Sequence, residues 1–237
     1  FLPPSKLLYG RDHPDAVVEN ASLSAVKPPD ITYNLAMPAD IIADGKLSNL
    51  QLEAIVYGCQ RHSVDLPMKM KWEHNNDDDG MMEDGEDPFV EQQQHQSVPT
   101  RAGFLLGDGA GLGKGRTLAG FVVENISRGR RKHVWISVST DLFEDAKRDL
   151  RDLGLDEYAE KNIYNLGKLP YGSLGERYNE GVMFTTYQTL VSKNKEKRTR
   201  LDHLVEWCGE DFDGLIMLDE CHKAKTIKLD ANGNPKM

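Results

Sequence analysis

Apolar positions in the 237-residue chain change their spacing along its length, and the spacing predicts the elements. From Leu47 to His62, Leu47, Leu50, Ile55, Val56 and Cys59 recur at near-helical intervals, which predicts a helix. From Arg101 onward, short apolar runs alternate with amphipathic stretches. Ala102–Leu106 is an apolar run closed by a Gly-rich turn and reads as a strand. Thr117 to Ser127 then sets Leu118, Phe121, Val122 and Ile126 on one helical stripe. Val134–Val138 predicts a second strand. A helix is expected over Asp141–Leu153, with Leu142, Phe143, Ala146, Leu150 and Leu153 inward and Gly154 at its end. Asn162–Leu166 and Val182–Thr186 read as strands, Leu201–Cys208 as a helix, and Leu215–Leu218, entered through Gly214, as a last strand. This alternation predicts an α/β fold, a parallel sheet flanked by helices on both faces. In such sheets ligands gather at the carboxyl ends of the strands.

Two stretches fall outside that rhythm. Residues 1–46, rich in Pro and small polar residues, are expected to form an extended leader that packs on a neighbour. Residues 72–100 contain nine acids and no Lys or Arg, few aliphatics and several Gln, a composition that cannot bury enough surface to offset its ordering entropy. A disordered loop is expected there, with contact to a basic tail such as a histone's as the alternative. Because the net charge is −9, this one insertion carries all of the acidity and the remaining chain is formally neutral. The balance therefore does not exclude nucleic acid as a partner. No run of eighteen apolar residues occurs, which gives no candidate for a spanning helix. Cys59, Cys208 and Cys221 show no CxxC pairing, which argues against a zinc site or a disulfide framework.

The first chemistry lies at Gly107–Thr117, GDGAGLGKGRT, between the strand at Ala102–Leu106 and the following helix. Glycines let backbone N–H groups turn toward phosphate oxygens, and a helix N-terminus adds a positive dipole. Asp108, Gly109, Gly111, Gly113, Gly115, Arg116 and Thr117 form the candidate nucleotide loop, and Lys114 is the flexible cation that would reach the outer phosphates. The loop departs from the usual P-loop twice. Asp108 stands where a glycine is usual, and Gly115 stands where Ser or Thr normally holds magnesium. Thr117 is the nearest hydroxyl, so either Thr117 substitutes or the metal leans on water.

The second lies about a hundred residues on, where the apolar run Leu215–Leu218 ends in Asp219-Glu220-Cys221-His222. In a phosphate-binding α/β domain Asp219 would hold magnesium and Glu220 would polarise the attacking water. His222 completes the DExH form of helicase motif II and is the candidate link between nucleotide state and a partner domain.

GDGAGLGKGRT and LDECHKAK together are similar to the strawberry notch family, as are SVSTDLFEDAKRDLRDLG (137–154), FTTYQTL (184–190), EWCGEDFDG (206–214) and LQLEAIVYGCQRH (50–62). The match runs from about Leu47 to Lys225. The resemblance implies an incomplete RecA-like P-loop NTPase domain, the first of a superfamily 2 helicase-like protein, using ATP and Mg2+. It also implies a nuclear location, a role in transcription and chromatin, and DNA, RNA or chromatin and transcription regulators as partners. By the same resemblance Ser139 and Asp141 fall at motif Ia and Thr185, Thr186 and Tyr187 near motif Ib, where a nucleic-acid backbone would lie. Their other readings, a helix N-cap for Ser139 or Asp141 and a plain strand end for Thr186, stay open. Gln51 would read adenine, or would cap its helix.

Of two basic clusters, Arg128, Arg130, Arg131 and Lys132 read as a solvated helix end. Lys193, Lys195, Lys197, Arg198 and Arg200 read as the better phosphate-tracking surface. No Ser-Ala-Thr segment follows His222. The stretch, which opens on Phe1, is therefore expected to be part of a longer protein. Alone it would bind ATP weakly and hydrolyse it very slowly. A nucleotide-gated adaptor that regulates transcription through protein contacts, without translocation, is the alternative function.

Overall fold

The structure is a computed structural model of the chain and describes residues 7, 9–14, 17, 26–66, 100–109, 111–172, 174, 176–193 and 198–225. Chain order runs α1 (Ala39–Ala43), α2 (Asn49–His62), α3 (Lys114–Ser127), β1 (Lys132–Ser137), α4 (Leu142–Asp152), α5 (Asp156–Lys161), β2 (Ile163–Asn165), β3 (Gly181–Thr186), α6 (Tyr187–Leu190), α7 (Arg200–Cys208) and β4 (Ile216–Leu218). The strands form one parallel sheet in the order β2-β3-β1-β4.

Alternation along the strands divides the core in two. Trp135 and Phe184 face one side, where they meet Leu52 and Ile55 of α2, Val122 of α3 and Ala146 and Leu150 of α4. Val134, Ile136 and Met183 face the other, against Leu204 and Trp207 of α7 and Leu166. Full burial of one such side chain is worth about 1.5–3 kcal/mol, so these layers outweigh the surface pairs. The α/β architecture with helices on both faces follows the periodicity, and boundaries agree to within a few residues.

Local chemistry marks the helix starts. Ser48 caps α2: its hydroxyl accepts from the Gln51 N–H at 3.3 Å, and Gln51 Oε1 accepts from the Ser48 N–H at 2.9 Å. Thr199 and Asp202 repeat the reciprocal arrangement on α7. Such a cap contributes about 1 kcal/mol.

The amino-terminal stretch is not extended throughout. It contains α1, and Met37 and Ile41 are buried in the main core. Glu124 of α3, fully buried, holds it there: its carboxylate accepts from the Ala36 and Met37 N–H groups at 2.8 Å, from Tyr33 Oη at 2.8 Å and from Arg128 Nε at 3.0 Å. Gln60 of α2 adds bonds to Thr32 and Asp30.

One predicted strand is corrected. After the Asp65–Arg101 bridge, Ala102–Leu106 joins no ladder among the described residues, and Phe104 and Leu105 are exposed. An apolar run becomes a strand only where a neighbour takes its backbone bonds, and here a cavity separates it from β4. The acidic stretch 72–100 lies, apart from Thr100, outside the described residues.

Two outcomes test this packing. Glu124→Ala leaves two N–H groups and an arginine without their acceptor, and should cost about 3 kcal/mol or more in chemical denaturation. His133 is fully buried, and burial pushes its imidazole down to about 4. Its Nδ1 accepts from the Leu215 N–H, which needs the unprotonated ring. Between pH about 4 and 6.5 the unfolded chain binds a proton that the folded chain refuses, so stability falls as pH falls through that window. The contribution reaches about 3 kcal/mol at its ceiling. The difference between wild type and His133→Gln in denaturation at pH 4.5 and 7 should carry this slope.

Candidate functional site

At the start of α3, Gly111 and Gly113 have φ of +90° and +73°, values that L side chains rarely adopt. A Cβ at Gly113 would stand 2.6 Å from Gln51 Nε2. That nitrogen donates to the carbonyls of Leu112 and Gly113 at 3.1 and 3.3 Å. Gln51 therefore braces the loop with one end of its amide while the other end closes the α2 cap. Beside Gly107, Gly109 and Gly111 the space is open, so the approach to the loop backbone is clear.

Lys114, the first residue of α3, donates from Nζ to the Asp108 carbonyl at 3.1 Å. The Asp108 carboxyl is half-buried, and burial raises its affinity for a proton while Lys114 opposes that. Lys114 lines a cavity of about 410 Å³ together with Asp219, Glu220 and His222. Strand register brings the acids there. Ile136 pairs with Leu218, so the next residue of β1, buried Ser137, lies beside Asp219 and donates from Oγ to Asp219 Oδ2 at 2.7 Å. Tyr187 Oη donates to the Asp219 carbonyl at 2.9 Å, and the Asp219 N–H donates to the Ile136 carbonyl at 2.8 Å. Asp219 is thus held at three points. Glu220 adopts φ +52°, the one positive value on a non-glycine among the described residues. This is the kind of local strain that collects at functional turns. Its carboxylate meets His222 Nδ1 at 3.2 Å.

The chain matches the family model described as "P-loop containing NTP hydrolase pore-1" over residues 12–237. It is 44% identical to the strawberry notch protein of Drosophila melanogaster over 98% of this chain and 12% of that protein. Against human strawberry notch homolog 2 the identity is 47%, over 94% of this chain and 14% of that protein. FORGETTER 1 of Arabidopsis thaliana is 43% identical, over 98% of this chain and 16% of that protein. The chain belongs to the strawberry notch family. It spans only 11–16% of the length of the curated relatives it matches. No solved structure matches it.

Membership in this P-loop family makes the chain a nucleotide-binding domain, and packing accounts for the GKG form of its glycine-rich loop. A Cβ on Gly115 would collide with Asp149 Oδ2 from α4, a carboxylate 9% exposed. Ser or Thr after the loop lysine would have to displace the Asp149 carboxylate. Thr117 is fully buried and its hydroxyl donates to the Gly113 carbonyl at 3.4 Å. It is not among the residues that line the cavity with Lys114. Arg116 pairs with Asp152 of α4. With Gln51, Gly113 and Asp149 it lines a second, polar cavity of about 320 Å³.

The remaining candidates do not line this cavity. The Ser139 hydroxyl accepts from the Asp141 N–H at 3.2 Å, and Asp141 makes no side-chain cap. Buried Thr186 caps α6 by accepting from the Thr189 N–H at 3.1 Å. Arg200 is buried: it stacks on Tyr171 at 3.7 Å and donates to the Leu169 carbonyl at 2.8 Å, so it leaves the proposed phosphate-tracking cluster. Lys195 and Lys197 lie outside the described residues. Arg128, Arg130 and Arg131 pair with Glu124, Asp213 and Glu180, and Lys132 bonds the Trp207 carbonyl. The sequence singles out neither Ser137 nor Asp149, and it places Tyr187 only near motif Ib, without its bond to Asp219. A serine ending the strand before the motif Ia segment was the one available signal, and it becomes informative only through register.

Gly115→Ser should therefore destabilise the domain by about 1–3 kcal/mol through overpacking. Combined with Asp149→Ala it should recover more than half of that loss in a double-mutant cycle. Strict additivity of the two changes would sink the explanation.

Proposed function

We propose that this domain is the ATP-binding half of a DExH helicase-like motor that acts in the nucleus on transcription and chromatin. Hydrolysis on this reading needs a second RecA-like domain. The observation that carries the motor chemistry is that Lys114, Asp219 and Glu220 line one cavity.

The donor set suits a nucleotide with a divalent cation. Among the described residues no three His, Cys, Asp or Glu gather into a cage. That fits magnesium, which binds through one or two carboxylates, phosphate oxygens and water. Asp219 is the carboxylate for it, with one oxygen already oriented by Ser137. The ion would spread the charge of the phosphates. Lys114, released from the Asp108 carbonyl, bonds the outer phosphates while Gly111 and Gly113 present backbone N–H groups. Glu220 accepts the proton of the attacking water. His222, paired to Glu220, carries the nucleotide state toward a partner domain. Gln51 serves the nucleotide through the loop it braces. The nuclear and transcriptional part of this reading rests on the likeness to strawberry notch proteins.

A second reading, a nucleotide-gated adaptor that does not translocate, draws support from Thr186 and Arg200, which are engaged in local structure. On the motor reading, Ser139, Asp141 and Thr186 line the path of DNA or RNA.

In the full-length protein, Lys114→Ala should weaken ATP binding at least about 10-fold by calorimetry. Glu220→Gln should leave binding intact and lower kcat by about 10²–10³. Wild-type ATP affinity in Lys114→Ala would overturn the site. An ATPase rate indifferent to DNA and RNA would favour the adaptor over the motor.

A further inference from the structure

The glycine-rich loop borders both cavities: Gly111 and Gly113 line the polar one of about 320 Å³, and Lys114, the next residue, lines the other. The walls of the polar cavity come from distant parts of the chain. Residues 11–14 form a strap tied to the start of α2, where the Asn49 N–H donates to the Arg11 carbonyl at 2.6 Å and Asn49 Nδ2 donates to Asp12 Oδ1 at 2.8 Å. The start of α2 adds Ser48 and Gln51, α3 adds Arg116 and α4 adds Asp149. Most of these side chains already have protein partners. Arg11 Nη2 donates to the Ala43 carbonyl at 3.2 Å, Lys46 pairs with Asp40 at 3.6 Å and Arg116 pairs with Asp152. The Gln51 amide is bonded at both ends. Asp149 differs. It is 9% exposed, and its carboxylate makes no hydrogen bond or ion pair among the described residues. Burial raises its affinity for a proton, with Arg148 and Arg116 opposing. A buried acceptor with no donor is costly, and this one lines a polar cavity at the loop.

We propose that Asp149 is the residue that selects the nucleotide's base, accepting a hydrogen bond from the 6-amino group of an adenine seated in this cavity. The inference rests on the ATP reading above, and it moves base selection from Gln51, whose amide is spent on Ser48 and the loop carbonyls, to α4. An ionised carboxylate only accepts, so its ligand has to bring an N–H or a cation. A metal ion would enter against Arg11, Lys46 and Arg116, which line the same space. A base brings a neutral donor instead, beside ring nitrogens that accept, and the Arg116 guanidinium is a donor suited to those. Gly115 fits the same role. A Cβ there would stand 2.3 Å from Asp149 Oδ2, so any side chain would push the carboxylate from its place. The GKG form of the loop thereby keeps the base-selecting group in position.

Calorimetry on the full-length protein, comparing ATP with purine riboside triphosphate, which carries hydrogen in place of the 6-amino group, tests this. The wild type should bind ATP at least about 10-fold more tightly than the analogue. In Asp149→Ala the two should bind within about 2-fold of each other, because the amine has lost its acceptor. Asp149→Ala gives up no protein bond, so its denaturation midpoint should not fall below that of the wild type. Equal affinity for ATP and the analogue in the wild type would overturn the proposal without recourse to any variant. So would an amine preference that survives unchanged in Asp149→Ala, or GTP binding as tightly as ATP. ATP affinity that depends on Lys114 but not on Asp149 would refute the base assignment and leave the nucleotide site standing, so the two readings fail separately.

Discussion

Glu124 joins the amino-terminal segment to the helix that carries the phosphate loop. It lies three turns down α3 at complete burial, where an unpaired carboxylate would be very costly. Two backbone N–H groups, a tyrosine hydroxyl and an arginine satisfy it. Because the N–H donors belong to Ala36 and Met37, the carboxylate fixes where the chain enters α1. Met37 and Ile41 then reach the core, and α2 is laid along α3. That placement delivers Gln51 to the loop carbonyls. The loop conformation thus depends on a residue of its own helix acting through the preceding segment.

A second constraint orients the acids. Parallel pairing of β1 with β4 places Ser137 beside Asp219, and the turn after β3 brings Tyr187 to the Asp219 carbonyl. Three elements distant in sequence hold one carboxylate. Glu220, one residue on, leaves the strand through a left-handed turn and is exposed. The two neighbouring acids so acquire different surroundings, one anchored and one exposed. On the proposed reading, that difference suits separate tasks in cation holding and proton acceptance.

The loop's departure from the common P-loop is a packing outcome. α4 crosses the first turn of α3 closely enough that Asp149 takes the volume of a side chain at position 115. Glycine there answers a neighbour across space, as Gly113 answers Gln51. The absence of a hydroxyl after Lys114 therefore says nothing by itself about the chemistry of the site.

By itself the sequence determined the alternation of strands and helices, the phosphate loop, the acidic strand end and the family likeness. Each of these is local: periodicity in one segment, glycines around one turn, or acids after one apolar run. It misread Ala102–Leu106, since an apolar run carries no record of whether a neighbour is present to pair with it. Roles that depend on contact were decided only by the tertiary structure. Gln51 braces the loop, Thr117 turns inward, Thr186 caps a helix, Arg200 stacks on Tyr171, and Ser137 positions Asp219. In each case the deciding atom lies far along the chain or on another element, where spacing along one segment carries no signal. The loop and the acids could be named from sequence; their meeting across a cavity at the sheet's open edge is a property of the fold.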